Sequence, residues 1–180
     1  MKKDLFQEIE IPGGVEVNLE GTEVSVKGPE GEVKRKFKTM KIKFEKKENQ
    51  IIIGAKKSTK KEKKIINTIV AHVKNMIEGV QNTFEYKLKV ASSHFPISLE
   101  VSEDQVLIKN FLGEKIPRTS KIIKGCEFKL DGQIITINSP DKEIAGQTAA
   151  NLEAATKIKK RDLRVFQDGI YITHKPKGEI

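Results

Sequence analysis

The sequence predicts an α+β fold: a tandem duplication of a small antiparallel sheet packed with a helix. Three observations lead there. A series of alternating strands and glycine-bearing turns in the first half recurs, in order, in the second. Each copy then runs into one segment of helical periodicity. The two copies are joined by a cleanly alternating strand, with no low-complexity stretch between them.

The repeat is specific. Val24-Ser25-Val26-Lys27-Gly28-Pro29-Glu30-Gly31-Glu32 is answered by Val106-Leu107-Ile108-Lys109-Asn110-Phe111-Leu112-Gly113-Glu114. Upstream, Val15, Val17 and Leu19 match Ile97, Leu99 and Val101 at the same offset. Downstream, Asn49-Gln50-Ile51-Ile52 matches Gly132-Gln133-Ile134-Ile135, displaced by one further residue. The expected division is residues 1–80 for the first repeat and 81–180 for the second, which adds a basic C-terminal hairpin and tail.

In the first copy, Val15/Val17/Leu19 and Val24/Val26 alternate as half-buried strands joined near Gly21. Gly28 to Gly31 reads as a turn, followed by strands at 33–37, 42–44 and 51–53. Thr59 with Glu62 three residues later fits a capping box. Ile65, Ile69, Val73 and Ile77, with Ile66 and Val70 beside them, form a helical stripe that Gly79 is expected to end.

The second copy opens on Phe84, Tyr86, Leu88 and Val90, which alternate with charged residues as a strand. Ser139 is expected to cap a helix with Pro140 at its first position, and Asp141 and Glu143 suit its positive end. Ile144, Ala145, Thr148, Ala149, Leu152 and Ala155 form its inner face. So small a face predicts close packing on the sheet. Leu163 to Phe166, a turn at Asp168-Gly169 and Ile170 to Ile172 read as a closing hairpin.

Composition narrows the partners. Hydrophobic residues make up 37% and charged residues 33%, a modest core under a charged surface. The formal net charge of +9 favours a polyanion, nucleic acid or an acidic membrane surface, over a merely solvated basic face. No apolar run approaches the ~20 residues that span a bilayer, and the first residues lack a signal-type apolar stretch. The single cysteine, Cys126, rules out an internal disulfide and reads as a buried core thiol, so a reducing cytosolic setting is expected. Aromatic residues are only 6%, which argues against a stacking platform for single strands and for recognition of folded RNA by shape and backbone.

Catalytic motifs are weighed and set aside. Gly28-x-x-Gly31 has the glycines of a KH-domain loop but joins strands where that loop joins helices. There is no Walker loop, zinc spacing or His-Glu-x-x-His, and no cofactor or metal is expected. His72 lies beside the first helical stripe and reads as structural. Ser92-Ser93-His94 tempts toward a nucleophile and base, but neighbours on an extended chain point to opposite faces. No enzymatic activity is expected.

The basic residues fall in clusters. Lys34, Arg35, Lys36, Lys38, Lys41, Lys43, Lys46 and Lys47 share a strand pair. Lys56, Lys57, Lys60, Lys61, Lys63 and Lys64 surround the first helix start, where they oppose the macrodipole; a bound phosphate or a solvated face would each fit. Lys115, Arg118, Lys121 and Lys124 make a third group, and Lys157, Lys159, Lys160, Arg161 and Arg164, with Lys175 and Lys177 in the tail, a fourth. These last two lie in turn-rich or terminal segments and include arginines, whose planar fork suits phosphate and base edges. They are the expected RNA contacts.

Four stretches then carry a family resemblance: His94-Phe95-Pro96-Ile97, Lys109-Asn110-Phe111-Leu112-Gly113-Glu114-Lys115, Ser139 to Ala150 with Gly146-Gln147, and Asp168-Gly169-Ile170-Tyr171. In this order they resemble the large-subunit ribosomal protein L6 family in its archaeal and eukaryotic form. The resemblance implies two α+β units and a cytoplasmic place in the large ribosomal subunit. It also implies attachment to large-subunit rRNA, mainly through the C-terminal unit, near the sarcin–ricin loop and the base of the factor-binding stalk. Neighbouring large-subunit ribosomal proteins and nearby translational GTPases are implied partners; a membrane is not. Within the second unit, charge and position add Lys109, Asn110, Gly146 and Gln147 to the expected contacts. For Gly146, close approach of RNA and tight helix–sheet packing fit equally. The other reading carried forward is a stand-alone RNA chaperone or regulator using the same basic surface.

Overall fold

The duplicated strands fold into duplicated sheets. The computed structural model describes residues 3–39, 41–102, 104–176 and 178–179, and the chain divides into two units, Met1–Thr83 and Phe84–Ile180. The first runs β1 (Lys3–Glu10), β2 (Glu16–Glu20), β3 (Glu23–Gly28), β4 (Gly31–Lys36), β5 (Lys43–Lys47), β6 (Gln50–Ser58) and α1 (Lys60–Gln81). The second runs β7 (Phe84–Ala91), β8 (Ser98–Val101), β9 (Gln105–Lys109), a 3-10 turn (Phe111–Gly113), β10 (Arg118–Lys121), β11 (Glu127–Asp131), β12 (Ile134–Ser139), α2 (Lys142–Ala155), β13 (Gly169–Lys175) and β14 (Gly178–Glu179).

Strand for strand, β7 to β12 repeat β1 to β6. In the first unit a meander β2-β3-β4 accompanies a sheet ordered β1-β6-β5. In the second the meander is β10-β9-β8, and the sheet β11-β12-β7 is extended by β13 and β14 on the far edge of β7. All pairings are antiparallel. The α+β duplication is thus a property of the fold.

Each unit has its own core. In the first, Ile51 and Ile53 of β6, Val24 and Val26 of β3, and Ile66, Ile69, Val73, Ile77 and Val80 of α1 meet with solvent excluded. The buried stripe of α1 is centred one residue later than expected, so Ile65 is 45% exposed. The capping box forms: the Glu62 carboxylate accepts the Thr59 N–H at 2.5 Å and the Thr59 hydroxyl as well. These bonds hold its carboxyl at about 2. Gly79 does not end the helix. It is buried inside the last turn, and the stop comes at Asn82, whose N–H donates to the Glu78 carbonyl at 2.8 Å. The Val80 carbonyl is satisfied across the unit, by the Glu30 N–H at 3.0 Å. That approach is possible because Gly28, at the end of β3, has no Cβ to meet Val80.

In the second unit the inner face of α2 is Ala145, Thr148, Ala149 and Leu152, packed over Leu88, Ile135, Ile137 and Ile170. Gly146 faces Tyr86, whose hydroxyl would lie 3.0 Å from an added Cβ. The cap expected at Ser139 falls instead on Asp141, whose Oδ1 accepts the Glu143 N–H at 2.9 Å. Ser139 stays in β12 opposite Phe84, and strand pairing outcompetes capping there. The expected hairpin is also corrected: Leu163 to Val165 form a turn, and β13 pairs with β7 rather than with them. Cys126 is half-buried, its Sγ donating to the Ile123 carbonyl at 3.0 Å.

The contact between β1 and β6 depends on Gly54. A Cβ there would lie 2.4 Å from the Leu5 carbonyl oxygen and 2.8 Å from Phe6 Cα, both backbone atoms that cannot swing away. Gly54→Ala is therefore expected to cost the protein about 1–3 kcal/mol of stability, read from the urea midpoint. Gly13→Ala, where nothing lies within 4 Å, leaves that midpoint unchanged.

Candidate nucleic-acid interface

The seam between β10 and the outer face of α2 gathers many of the residues singled out by charge. Gln147 and Asn151 are one helical turn apart on that face, and Gln147 Nε2 donates to Asn151 Oδ1 at 2.9 Å. Asn151 Nδ2 in turn donates to the Lys121 carbonyl at 3.3 Å. Asn151 was not anticipated; its i, i+4 spacing from Gln147 was the available signal. Lys121, Lys124 and Gln147 are exposed along this seam, and Gly146 lies over the Tyr86 ring.

Arg118 lies at the same seam but its fork is engaged within the protein. Nε and Nη2 donate to the two Glu114 carboxylate oxygens at 2.8 and 2.6 Å. Nη1 donates to the carbonyls of Ala155 at 2.9 Å and Lys157 at 3.2 Å, satisfying the C-terminal end of α2. The guanidinium also lies 4.3 Å from the Phe111 ring centroid. Its hydrogen bonds hold the Glu114 carboxyl below its ordinary range. Arg118 is a clasp joining the 3-10 turn, α2 and the arm that follows.

That arm, residues 156–168, carries Lys157, Lys159, Lys160, Arg161 and Arg164, all exposed. Arg161 stacks at 4.8 Å on Phe166. Arg164 grips Asp162 through Nε at 3.1 Å and Nη2 at 2.9 Å, which holds the Asp162 carboxyl below its usual range and raises that of Arg164. Lys115 is exposed beyond the 3-10 turn. Lys109 pairs with Glu100 across β8 and β9, and Asn110, in the left-handed region at φ 59°, donates from Nδ2 to the Pro96 carbonyl at 3.0 Å. Lys175 stands apart: β13 starts opposite Ala91 and ends near Lys87, so Lys175 lies about 20 Å along the strand from Gly169. Lys177 lies outside the described residues.

A polar cluster binds the arm's far end. The Asp168 carboxylate, in a residue only 1% exposed, accepts the Ser93 N–H at 2.6 Å, the Ser93 hydroxyl at 2.7 Å and the His94 N–H at 3.3 Å. Burial pushes its carboxyl up, but these bonds outweigh burial and bring it to about 2. Ser93 and His94 do come together, Oγ to Nδ1 at 3.0 Å, because the chain bends at 93–95 and is not extended as expected. The order is wrong for nucleophilic catalysis all the same. A relay needs histidine between serine and carboxylate, and here the Ser93 hydroxyl donates its hydrogen bond directly to Asp168 while one ring nitrogen faces both. Among the described residues, no group of three or more His, Cys, Asp or Glu could hold a metal ion. No helix among them is long and apolar enough to cross a membrane.

Two outcomes follow from these clasps. Arg118→Ala strands two carbonyls and a carboxylate and is expected to cost about 1–3 kcal/mol, read as a lower urea midpoint. The Asp168 carboxyl sits at about 2 in the folded chain, against about 3.9 unfolded. Its contribution is therefore present above pH ~4 and lost as pH falls from about 4 toward 2. Asp168→Asn should flatten the corresponding part of a stability–pH curve.

Comparison with known proteins matches this architecture along its length. The family model described as "Ribosomal protein L6" matches residues 11–83 and again 95–169, one match per repeat. "Large ribosomal subunit protein uL6" of Methanobrevibacter smithii is 48% identical over 169 residues, covering 94% of this chain and 95% of that protein. The protein of the same name from Methanosarcina mazei is 43% identical over 175 residues, covering 97% and 99%. That from Methanococcus vannielii is 42% identical over 169 residues, covering 94% and 93%. The chain belongs to the ribosomal protein L6 family.

Proposed function

We propose that this protein is a structural constituent of the large ribosomal subunit, in the cytoplasm, held to its rRNA mainly through the second unit. The observation that carries the reading is identity of 42–48% across nearly the whole chain to relatives named for that subunit. Members of this family are structural ribosomal proteins and not enzymes. The RNA face proposed is the arm at Lys157, Lys159, Lys160, Arg161 and Arg164 together with Lys121, Lys124 and Gln147 on the seam. Lys115, Lys109 and Asn110 lie at the margin of this face, and Arg118 supports it from beneath. Placement near the sarcin–ricin loop and the base of the factor-binding stalk, close to where translational GTPases act, rests on the family resemblance.

Exposed cations grouped on one arm are the electrostatic means of holding a phosphate backbone. Sedimentation tests the whole reading. The protein should run with large subunits and stay there after a moderate salt wash; finding most of it free, or spread over many RNAs as a chaperone would be, overturns it. Reversing Lys159 and Arg161 to Glu should reduce incorporation far more than reversing Lys43 and Lys47 in the first unit. Each arm cation removed should lower the slope of log K against log salt by about 1. Equal effects at the two sites would place the main RNA face elsewhere.

A further inference from the structure

The arm after α2 spends fixed hydrogen bonds to hold aliphatic side chains in water. Ile158 anchors it in the core at one end, and Phe166 packs against His94 at the other, ring centroids 5.0 Å apart. Between them Asp162 organises a turn. Its carbonyl accepts the N–H of Val165 at 3.2 Å and of Phe166 at 3.0 Å, and its Oδ1 accepts the Arg164 N–H at 2.9 Å. The turn leaves Leu163 63% and Val165 58% exposed. Leu163, Phe166 and Tyr171 line a cleft of about 510 Å³ against Ala150, Ala154 and Ile158. The Tyr171 ring is tied by its hydroxyl, which donates to the Gln167 carbonyl at 3.1 Å.

This cleft, apolar along Ala154, Ile158, Leu163 and Phe166 and polar at Thr156 and Gln167, is bordered by a strongly cationic arm. Lys157 lines it, and Lys159, Lys160, Arg161 and Arg164 follow on the same segment. The carboxylates there are Glu153, which also lines the cleft, Asp162, which is taken up by Arg164, and Glu114, which is taken up by Arg118 and also lies within reach of Arg161's charge. An apolar protein segment would fill the cleft and leave the cations unmatched. A phosphate backbone alone would match the cations and leave the cleft empty. A nucleotide whose base has left its stack satisfies both, offering a flat apolar ring between two anionic phosphates. The volume lies within the about 300–1,000 Å³ of pockets that enclose ring-bearing ligands.

We propose that this cleft receives one unstacked nucleobase of the bound RNA, seated against Leu163 and Tyr171, with the flanking phosphates on Lys157, Lys160 and Arg161. The proposal rests on the second unit being an RNA anchor and adds how that anchor is keyed to one nucleotide. Filling the cleft and removing charge should then have separable effects.

The test uses the full-length protein with purified large-subunit rRNA, binding being measured across a salt series. Ala154→Trp, at an exposed position on α2, blocks the cleft and should lower affinity about 10-fold at every salt while leaving the salt slope as it was. Arg161→Gln should lower the slope by about 1. If Ala154→Trp fails to give the native circular dichroism melt, Leu163→Asn on the exposed turn, which removes the apolar wall without adding charge, carries the same expectation. A photoreactive residue at 163 in assembled subunits should crosslink to a single base. Wild-type affinity in the cleft variants, or a crosslink to a protein, overturns the proposal. Absence of any wild-type binding would overturn the RNA-anchor reading along with it.

Discussion

One buried carboxylate sets the geometry of the second unit. Asp168 has been taken out of water, and a lone ionised group there would be expensive. It is held ionised by donors from the bend after β7, so that bend and the start of β13 are pinned to each other. Pinning β13 puts Gly169 opposite Ala91 and buries Ile170, whose N–H donates to the buried Thr156 hydroxyl at 2.9 Å. Thr156 caps the end of α2, and Arg118 takes the neighbouring carbonyls of Ala155 and Lys157. The cationic arm is therefore fixed at both ends by polar contacts, and its charges are displayed on a frame rather than on a loose loop.

The two copies resolve the same strand plan differently. In the first, β1 is an edge strand, and the helix above it is long and presents bulky Ile, Val and Met to the core. In the second, the equivalent β7 is central because β13 pairs along its other edge, and the helix is shorter with an alanine-rich inner face. The polar outer face of α2 is tied to β10 by Asn151, whose Nδ2 donates to the Lys121 carbonyl and which holds Gln147 one turn away. Added strand, shortened helix and cationic arm are parts of one elaboration that the first copy lacks.

What could be read from the residues beforehand was whatever depends on local pattern. The repeated strands, the turn at Gly28 to Gly31 and the capping box at Thr59 and Glu62 follow from alternation and short-range spacing, and they stand. Elements decided by partners far away in sequence were misread. Leu163-Arg164-Val165-Phe166 alternates like a strand, but Asp162 captures its N–H groups, and β7 already has β13. Ser139 has the chemistry of a cap and the position of a strand residue. β1 was not anticipated, because among its residues from Asp4 to Glu10 only Ile9 is deeply buried, and the adjacent Glu8 and Glu10 are exposed. The cationic clusters were visible as composition. That Arg118 is turned inward while Lys157, Lys159, Lys160 and Arg161 are displayed depends on where α2 ends, which no local pattern specifies.

The placement of β7 bears on how the chain matures as it is synthesised. A strand made at the beginning of a unit and seated in the middle of its sheet must wait for neighbours on both sides. β7 is complete at residue 91, gains β12 only when residues 134–139 exist, and gains β13 only with residues 169–175. The first unit imposes no such delay, since α1 completes it at residue 81. Domains tend to fold as units from the N-terminus during translation. Here the earlier copy can mature while the later one still exposes an open strand edge. The closing strand that distinguishes the second unit thus holds back completion of its sheet until residues 169–175 have been made, and ties the fixing of its cationic arm to a strand that appears well after β7.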